Sequence, residues 1–308
     1  MTPPPELLCI GELLMDLIST DYAADFRSAN RYQRLPGGSP ANLAMNAARL
    51  GRRVALAATV GQDDAGALLT EAVAQAGVDT RLIYRHSDPT TLILVTKSKA
   101  VSDFEAYRSA DRHLTSEQLA GDFVTKAKIA HTTAFALSRE PARSAILAAL
   151  KRVAKAGGTV TLDYNYADKI WGNDRAVGRS VLQDVCQIAP LLKFSEVDYA
   201  RLFEAQVRDP RRAAKRILDL GAKLVCLTLG EEGCYVLGDG ADFHLAVRPV
   251  EVKDTTGAGD AFWSGFLSAH LGGYGWEECA RAGRGMAERK LGTVGPLTEQ
   301  VNLAALID

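Results

Sequence analysis

The sequence lacks the features that mark most specialised classes of protein. It has no apolar run near the roughly 20 residues that a membrane-spanning helix needs. It has no surplus of either charge. Its 36 Lys and Arg stand against 37 Asp and Glu, a formal net charge of -1, which argues against a nucleic-acid partner or an anionic membrane surface. Cysteine is scarce and odd in number, five in 308 residues, with no C-x-x-C pair. Cys9, Cys226 and Cys234 fall in apolar, strand-like runs. With Cys186 and Cys279 they read as buried reduced thiols of a cytoplasmic protein, not as a zinc site or disulfides. The five histidines are scattered without an H-E-x-x-H, and His131 is given no role. No G-x-x-x-x-G-K-[ST] occurs, and Cys9-Ile10-Gly11-Glu12-Leu13-Leu14 lacks the glycines of a dinucleotide fingerprint. There is no internal repeat, low-complexity segment or linker. The opening Met1-Thr2-Pro3-Pro4-Pro5-Glu6 has neither the basic region nor the apolar stretch of a secretory signal, and reads as a short disordered tail.

What is present is ordinary globular composition, 47% hydrophobic and 24% charged. A chain of this length fits one large α/β domain or two small ones. Short apolar runs alternate with helical patterns. Strands are expected at Leu7–Ile10, Val54–Val60, Ile129–Thr132, Thr159–Leu162, Leu191–Phe194 and Leu224–Leu229. Helices are expected from Ser39 to Leu50, with Ser39 as cap and Pro40 in the first turn, and at Ala65–Ala76, Pro141–Lys155, Val181–Ile188, Asp198–Phe203, Ala213–Leu220, Ala258–Leu271 and Trp276–Lys290. This βαβα rhythm predicts a mostly parallel sheet covered on both faces by helices, an α/β fold. Two stretches break it: Leu17–Pro36, and Thr90–Arg108 with its strand-like Thr91–Thr96 and Phe104–Arg108. They read either as strands of a lid standing off the main sheet or as a pair of surface hairpins.

The chemistry concentrates in Val250–Phe266. A β-leaning run, Phe243–Val252, feeds the small-residue loop Thr255-Thr256-Gly257-Ala258-Gly259, and an apolar helix follows. The first N–H groups of such a helix lack internal partners and carry the positive end of its dipole, so the loop is a candidate anion site. Asp260 stands beside it, where a carboxylate can take a proton from an attacking hydroxyl. Alone, G-A-G-D has a plainer reading, an acidic residue meeting a helix dipole. Nine residues, D-T-T-G-A-G-D-A-F, carry more weight.

That string resembles the C-terminal signature of the ribokinase-like (PfkB) carbohydrate kinases. Nearly the whole chain shares the resemblance. Gly37-Gly38-Ser39-Pro40-Ala41-Asn42 is similar to the family's N-terminal glycine motif, Gly61–Gly66 to its G-x-D-x-x-G, and Thr228–Gly233 to its T-x-G-x-x-G. The resemblance implies a three-layer α/β/α sandwich with a small β-sheet lid formed by about 12–36 and 90–110, in one domain spanning 1–308. It implies an ATP-dependent kinase of a sugar hydroxyl. Asp260 would be the base, and the amides of Gly257, Ala258 and Gly259 the anion hole. Asp16, Gly37, Gly38 and Asn42 would hold sugar hydroxyls. Thr228, Gly230, Gly233 and Thr256, with Gly257 and Gly259, would face the nucleotide. ATP and Mg²⁺ are the implied cofactors, with room for a monovalent cation such as K⁺, and the lid would pair two copies into a homodimer.

Several residues also resemble the fructokinase branch: Gly11–Asp16 as G-E-x-L-x-D, Tyr107–Asp111 as a shortened Y-R-x-x-x-A-D, and Asp163-Tyr164-Asn165 as the start of a D-x-N-x-R…W element. The usual Arg of that element is Ala167 here. Fructose is therefore the expected sugar, with 2-keto-3-deoxygluconate or another ketose or nucleoside as the rival and a non-catalytic sensor behind both. Asp163 and Asn165 are sugar contacts or a turn after a strand. Arg108 is a polar lid contact or a solvated charge. Asp198, in Ser195-Glu196-Val197-Asp198, departs from the family's N-x-x-E and either orders waters around Mg²⁺ or caps a helix.

Overall fold

The computed structural model describes residues 3–97 and 103–307, so part of the expected 90–110 stretch lies outside the described residues. In chain order the strands are β1 (Leu7–Ile10), β2 (Leu14–Ser19), β3 (Tyr32–Gly37), β4 (Val54–Gly61), β5 (Asp79–His86), β6 (Leu92–Thr96), β7 (Asp103–Tyr107), β8 (Ile129–Thr133), β9 (Thr159–Asp163), β10 (Leu191–Ser195), β11 (Leu224–Thr228), β12 (Cys234–Gly238) and β13 (Ala241–Leu245). The helices are α1 (Ser39–Arg49), α2 (Asp64–Gln75), α3 (Asp122–Thr125), α4 (Ala142–Lys155), α5 (Asp168–Trp171), α6 (Arg175–Cys186), α7 (Glu196–Phe203), α8 (Pro210–Leu218), α9 (Ala258–Leu271), α10 (Trp276–Leu291) and α11 (Ala304–Ile307).

Nine strands form one sheet in the order β13-β12-β11-β10-β9-β8-β1-β4-β5. It is parallel from β11 to β5, with β12 and β13 added antiparallel at one edge. Side chains alternate across each strand, and both faces are buried. Leu8 and Ile10 join the core under α4, α6 and α8, while Leu7 and Cys9 join the core under α1, α2, α9 and α10. This is the expected three-layer α/β fold. The chain leaves β1 in two directions, to β4 on one side and later to β8 on the other. In such sheets the crevice at the carboxyl ends of the strands around that switch is where ligands bind.

A separate small sheet has the order β3-β2-β6-β7, with β2 and β6 parallel and the outer pairs antiparallel. Its strands lie in or directly beside the two stretches that break the α/β rhythm. Three expectations need correction. The β-leaning Phe243–Val252 pairs only through Leu245; 246–252 makes no strand, and Pro249 there has no N–H to give to a ladder. The opening tail is held from Pro5 on: Pro5 is buried, and Glu6 takes Arg53 and Lys128. Strand β5 has no counterpart in the sequence reading. It is an edge strand, so polar Asp79, Arg81 and Arg85 interrupt its apolar pattern. All five cysteines are buried and unpaired. Among the described residues no helix is long and apolar enough to cross a membrane.

Candidate active site

Helix α9 is buried along most of its length and brings its first turn to the carboxyl ends of β9 and β10. The loop before it is held from both ends. Asp254 accepts from the Thr256 N–H at 3.0 Å through Oδ1, and its Oδ2 accepts from Lys290 Nζ at 3.2 Å. Lys290 also donates to the Thr293 carbonyl at 3.2 Å. Gly257 then turns into the left-handed region, φ 75° and ψ 8°, as the residue before the helix. The nearest atoms to a Cβ placed there are 3.8 Å away, so the backbone angle, not crowding, calls for glycine. The N–H groups of Gly257, Gly259 and Asp260 have no acceptor among the described residues, while that of Ala258 donates to the Thr255 carbonyl at 3.2 Å. Of the three amides expected to bind an anion, that of Ala258 is spent closing the turn, and the unpaired set is Gly257, Gly259 and Asp260.

Asp260 lies in that first turn and is only 9% exposed. Its Oδ1 accepts from Ser39 Oγ at 2.6 Å and its Oδ2 from Asn42 Nδ2 at 2.9 Å. Burial pushes its pKa up to about 6; the Ser39 hydrogen bond opposes this and the Asp163 charge adds to it. Asn42 therefore touches the carboxylate directly. Ser39 is not the cap of α1. Gly38 precedes the helix with no side-chain cap, and the Ser39 hydroxyl is turned to Asp260 instead. Ser39 is held in turn by Glu12, whose Oε1 accepts the Ser39 N–H at 3.2 Å while Oε2 accepts from Thr133 Oγ1 at 2.8 Å. Burial raises the Glu12 carboxyl to about 8. Asp16 faces the same space, with no hydrogen-bond partner among the described residues. Burial first, then the Asp260 charge, raises it to about 7. The chain at Gly37 passes so close to Asp16 that a Cβ would lie 2.1 Å from Oδ2.

Two cavities flank the turn that leads into this helix. One is lined by Asp16, Leu35, Asn42, Thr256 and Gly257, under the small sheet, and its volume is about 40 Å³. The other is a cleft of about 840 Å³ lined by Thr228, Gly230, Gly233, Ala258 and Gly259, with apolar Val250 and Val252 on one wall. That volume is ordinary for a small-molecule site. Thr256 and Gly257, expected on the nucleotide side, line the smaller cavity; Gly259 lines the cleft.

Other expected residues are placed differently. Both Asp163 oxygens accept from Lys193 Nζ, at 2.9 and 2.8 Å, so Asp163 is more than a turn residue after a strand. Asn165 accepts from the Phe135 N–H at 3.1 Å. Arg108 is not a solvated charge: it pairs with Asp111, donates to the Phe135 carbonyl at 3.1 Å and stacks on the Phe135 ring. Asp198 closes a capping box with Ser195 at the start of α7, using Oδ2. Burial, then the Asp163 charge, raises its carboxyl to about 6. Sequence reasoning missed Ser39, Glu12, Lys193 and Lys290 as site residues. Lys193 did carry a signal, a charge interrupting the apolar run Leu191-Leu192-Lys193-Phe194, which is costly unless a partner waits inside.

The chain is similar to known carbohydrate kinases along most of its length. The model of the pfkB family carbohydrate kinases matches residues 4–300. An ATP-dependent 6-phosphofructokinase of Thermoanaerobacterium thermosaccharolyticum is 35% identical over 296 residues, 96% of this chain and 90% of the relative. Fructokinase-1 of Zea mays is 31% identical over 268 residues, 85% of this chain and 81% of the relative. Among solved structures, Halothermothrix orenii fructokinase matches with a TM-score of 0.77 at 32% identity, covering 94% of this chain and 98% of that one. An uncharacterized sugar kinase of Pyrococcus horikoshii in complex with ATP matches with a TM-score of 0.85 at 26% identity, covering 98% and 99%. The chain belongs to the pfkB family of carbohydrate kinases, ATP-dependent sugar kinases with the ribokinase-like fold.

Proposed function

We propose that the protein transfers the terminal phosphoryl group of ATP to a hydroxyl of fructose. One observation carries this reading: the unpaired amides of the α9 first turn adjoin the Asp260 carboxylate, and the turn leading into them has a cavity on either side. ATP lies in the larger cleft with its terminal phosphate at the Gly257, Gly259 and Asp260 amides. The sugar lies on the other side, against Asp16, Asn42 and the Gly37–Gly38 backbone, and Asp260 takes the proton of the attacking hydroxyl. The transition state is loose and heavily charged, so positioning and preorganised donors supply most of the rate.

The 40 Å³ cavity has room for about three waters, too little for a hexose. The small sheet therefore acts as a lid that opens to admit sugar and closes to exclude water. A Mg²⁺ ion arriving with ATP suits the oxygens nearby: Glu196 lines the cleft, and Asp198 Oδ1 has no partner among the described residues. Held through its waters, it would screen phosphate charge. The reading needs no K⁺, because the Lys290 ammonium already holds the anion loop through Asp254.

Neutral sugar is favoured over an acid sugar by the fructokinases among the relatives, at 31% and 32% identity. Asp16 lines the small cavity together with Arg49, which has no ion-pair partner among the described residues and is the cation that a phosphorylated or acidic substrate would meet. Fructose 6-phosphate is the second reading, from the 35% identical phosphofructokinase. ADP release measured over fructose, fructose 6-phosphate, 2-keto-3-deoxygluconate and nucleosides at fixed ATP and Mg²⁺ decides. Turnover with fructose is expected to dominate, and preferred turnover of a phosphorylated or acidic sugar overturns the assignment. The lid also leaves Tyr22, Phe26 and Tyr107 exposed. A second copy of the chain is the partner assigned to them, and sedimentation showing a monomer at micromolar concentration removes that part.

A further inference from the structure

Strand β10 is buried on both faces, and Lys193 sits in its middle with its side chain 5% exposed. A lysine there has to bring an ammonium into the interior. The pairing register sets it beside Asp163 of β9, which binds it through both oxygens. As a buried ion pair this arrangement is complete, and nothing in it requires a third party.

The surroundings of the ammonium say otherwise. Nζ has three N–H groups; two go to Asp163, and the third has no acceptor among the described residues. The element next to it is the first turn of α9: a Cβ placed on Gly259 would lie 3.2 Å from Nζ. That turn already carries the positive end of the helix dipole and three unpaired amides. A resting protein gains nothing by pressing a cation against a helix N-terminus, since cations stabilise the other end. The placement makes sense once an anion lies between them. Lys193 also lines the large cleft, so the approach to its free N–H is from the nucleotide side. Asp163, Asp198 and Asp260 surround it and keep it charged against the opposing effect of burial.

We propose that the Lys193 ammonium is the charged member of the anion hole and a catalytic residue, donating its third N–H to the migrating phosphoryl group. The inference rests on the kinase reading of this site. In the step, the bond from the terminal phosphorus to the bridging oxygen of ATP breaks and its electron pair leaves with ADP. The sugar oxygen bonds to phosphorus, and its proton goes to Asp260. Lys193 keeps its own protons throughout and stabilises charge on the transferring oxygens with the Gly257, Gly259 and Asp260 amides. Gly259 is small because the ammonium and the phosphate must meet across it.

The competing account is that Lys193 serves only to neutralise Asp163. Lys193→Met alone would strand a buried carboxylate and unfold the protein for that reason. The decisive variant removes both charges, Lys193→Met with Asp163→Asn. It is expected to keep its Tm, to bind an ATP analogue within about threefold of wild type and to keep the sugar KM, while kcat falls by about 10²–10³, as for loss of an oxyanion donor. A kcat within tenfold of wild type in the folded double variant shows the pair to be structural and overturns the proposal. If the double variant misfolds, Lys193→Arg decides. Its planar fork keeps the Asp163 pair but turns both donors toward it, so a normal Tm with at least a tenfold loss in kcat is expected, and an unchanged kcat overturns the proposal. Wild type in the same assay tests the kinase reading separately: absence of turnover there condemns the site assignment itself, whereas active wild type with active variants condemns only Lys193.

Discussion

The two sides of the α9 first turn are built on opposite plans. On the proposed sugar side the space is small and its lining mixed, with Asp16 beside Asn42, Arg49 and apolar Leu35, and both Asp16 and the neighbouring Asp260 are raised in pKa by burial. On the nucleotide side the cleft is about twenty times larger and one wall is apolar, through Val250, Val252 and Leu245. Each side has a buried lysine–aspartate pair. Lys290–Asp254 sits on the sugar side and ties down the loop before Gly257; Lys193–Asp163 sits on the nucleotide side against Gly259. The difference teaches how one helix end would serve the two ligands proposed for it. The side that must activate a hydroxyl keeps proton acceptors dry, and the side that must hold an anion supplies donors and open space. Specificity for the sugar is then a matter of the small side, and affinity for ATP a matter of the large one.

This division can be broken most sharply at Asp260. Asp260→Asn keeps the fold and ATP binding but is expected to lose about 10²-fold or more in kcat, because it cannot take the proton. Near-normal kcat in coupled ADP assays would return Asp260 to a merely structural place. A smaller effect is expected at Asp16. Asp16→Asn replaces a charged acceptor of sugar hydroxyls by a neutral one, worth about 1.5–3 kcal/mol, so the sugar KM rises on the order of 10- to 100-fold while the KM for ATP stays put. A parallel rise in both would show the two sides to be one site. The gentlest test is pH. Asp260 must be ionised to act, and its folded pKa is raised to about 6, so kcat/KM for the sugar should fall about tenfold per unit as the pH drops below about 6. Asp16, raised to about 7 partly by Asp260, titrates with it, and the wild-type limb belongs to the pair. In Asp16→Asn the limb should collapse to one titration near 6. A limb left in the ordinary aspartate range in both proteins would mean that Asp260 is solvated when it works.

Much of the fold was legible because both its periods are local. The two-residue alternation of Leu7–Ile10 and the helical spacing of Leu43, Ala44 and Ala47 declare themselves within a dozen residues. Helix α9 was readable to its ends, because a glycine turn, a first-turn acid and an apolar body are all consecutive. The site was readable only where its residues are neighbours in sequence. Ser39 looked like a helix cap because a serine before proline usually is one. Its hydroxyl goes instead to a carboxylate 221 positions away. Asp163 looked like a sugar contact because its motif ends a strand, yet the β9–β10 register hands it to Lys193. Arg108 was ambiguous until Asp111 and the Phe135 ring claimed it.

The chain alone determined the α/β layering, the glycine turn before α9 and the place of Asp260 in its first turn, since each follows from the order of a few adjacent residues. Only the tertiary structure decided which amides are left unbonded, which side of the turn each residue faces, and which lysine answers which aspartate. Those depend on strand register and on the docking of α1 against α9, and such long-range contacts form between residues that no local pattern links.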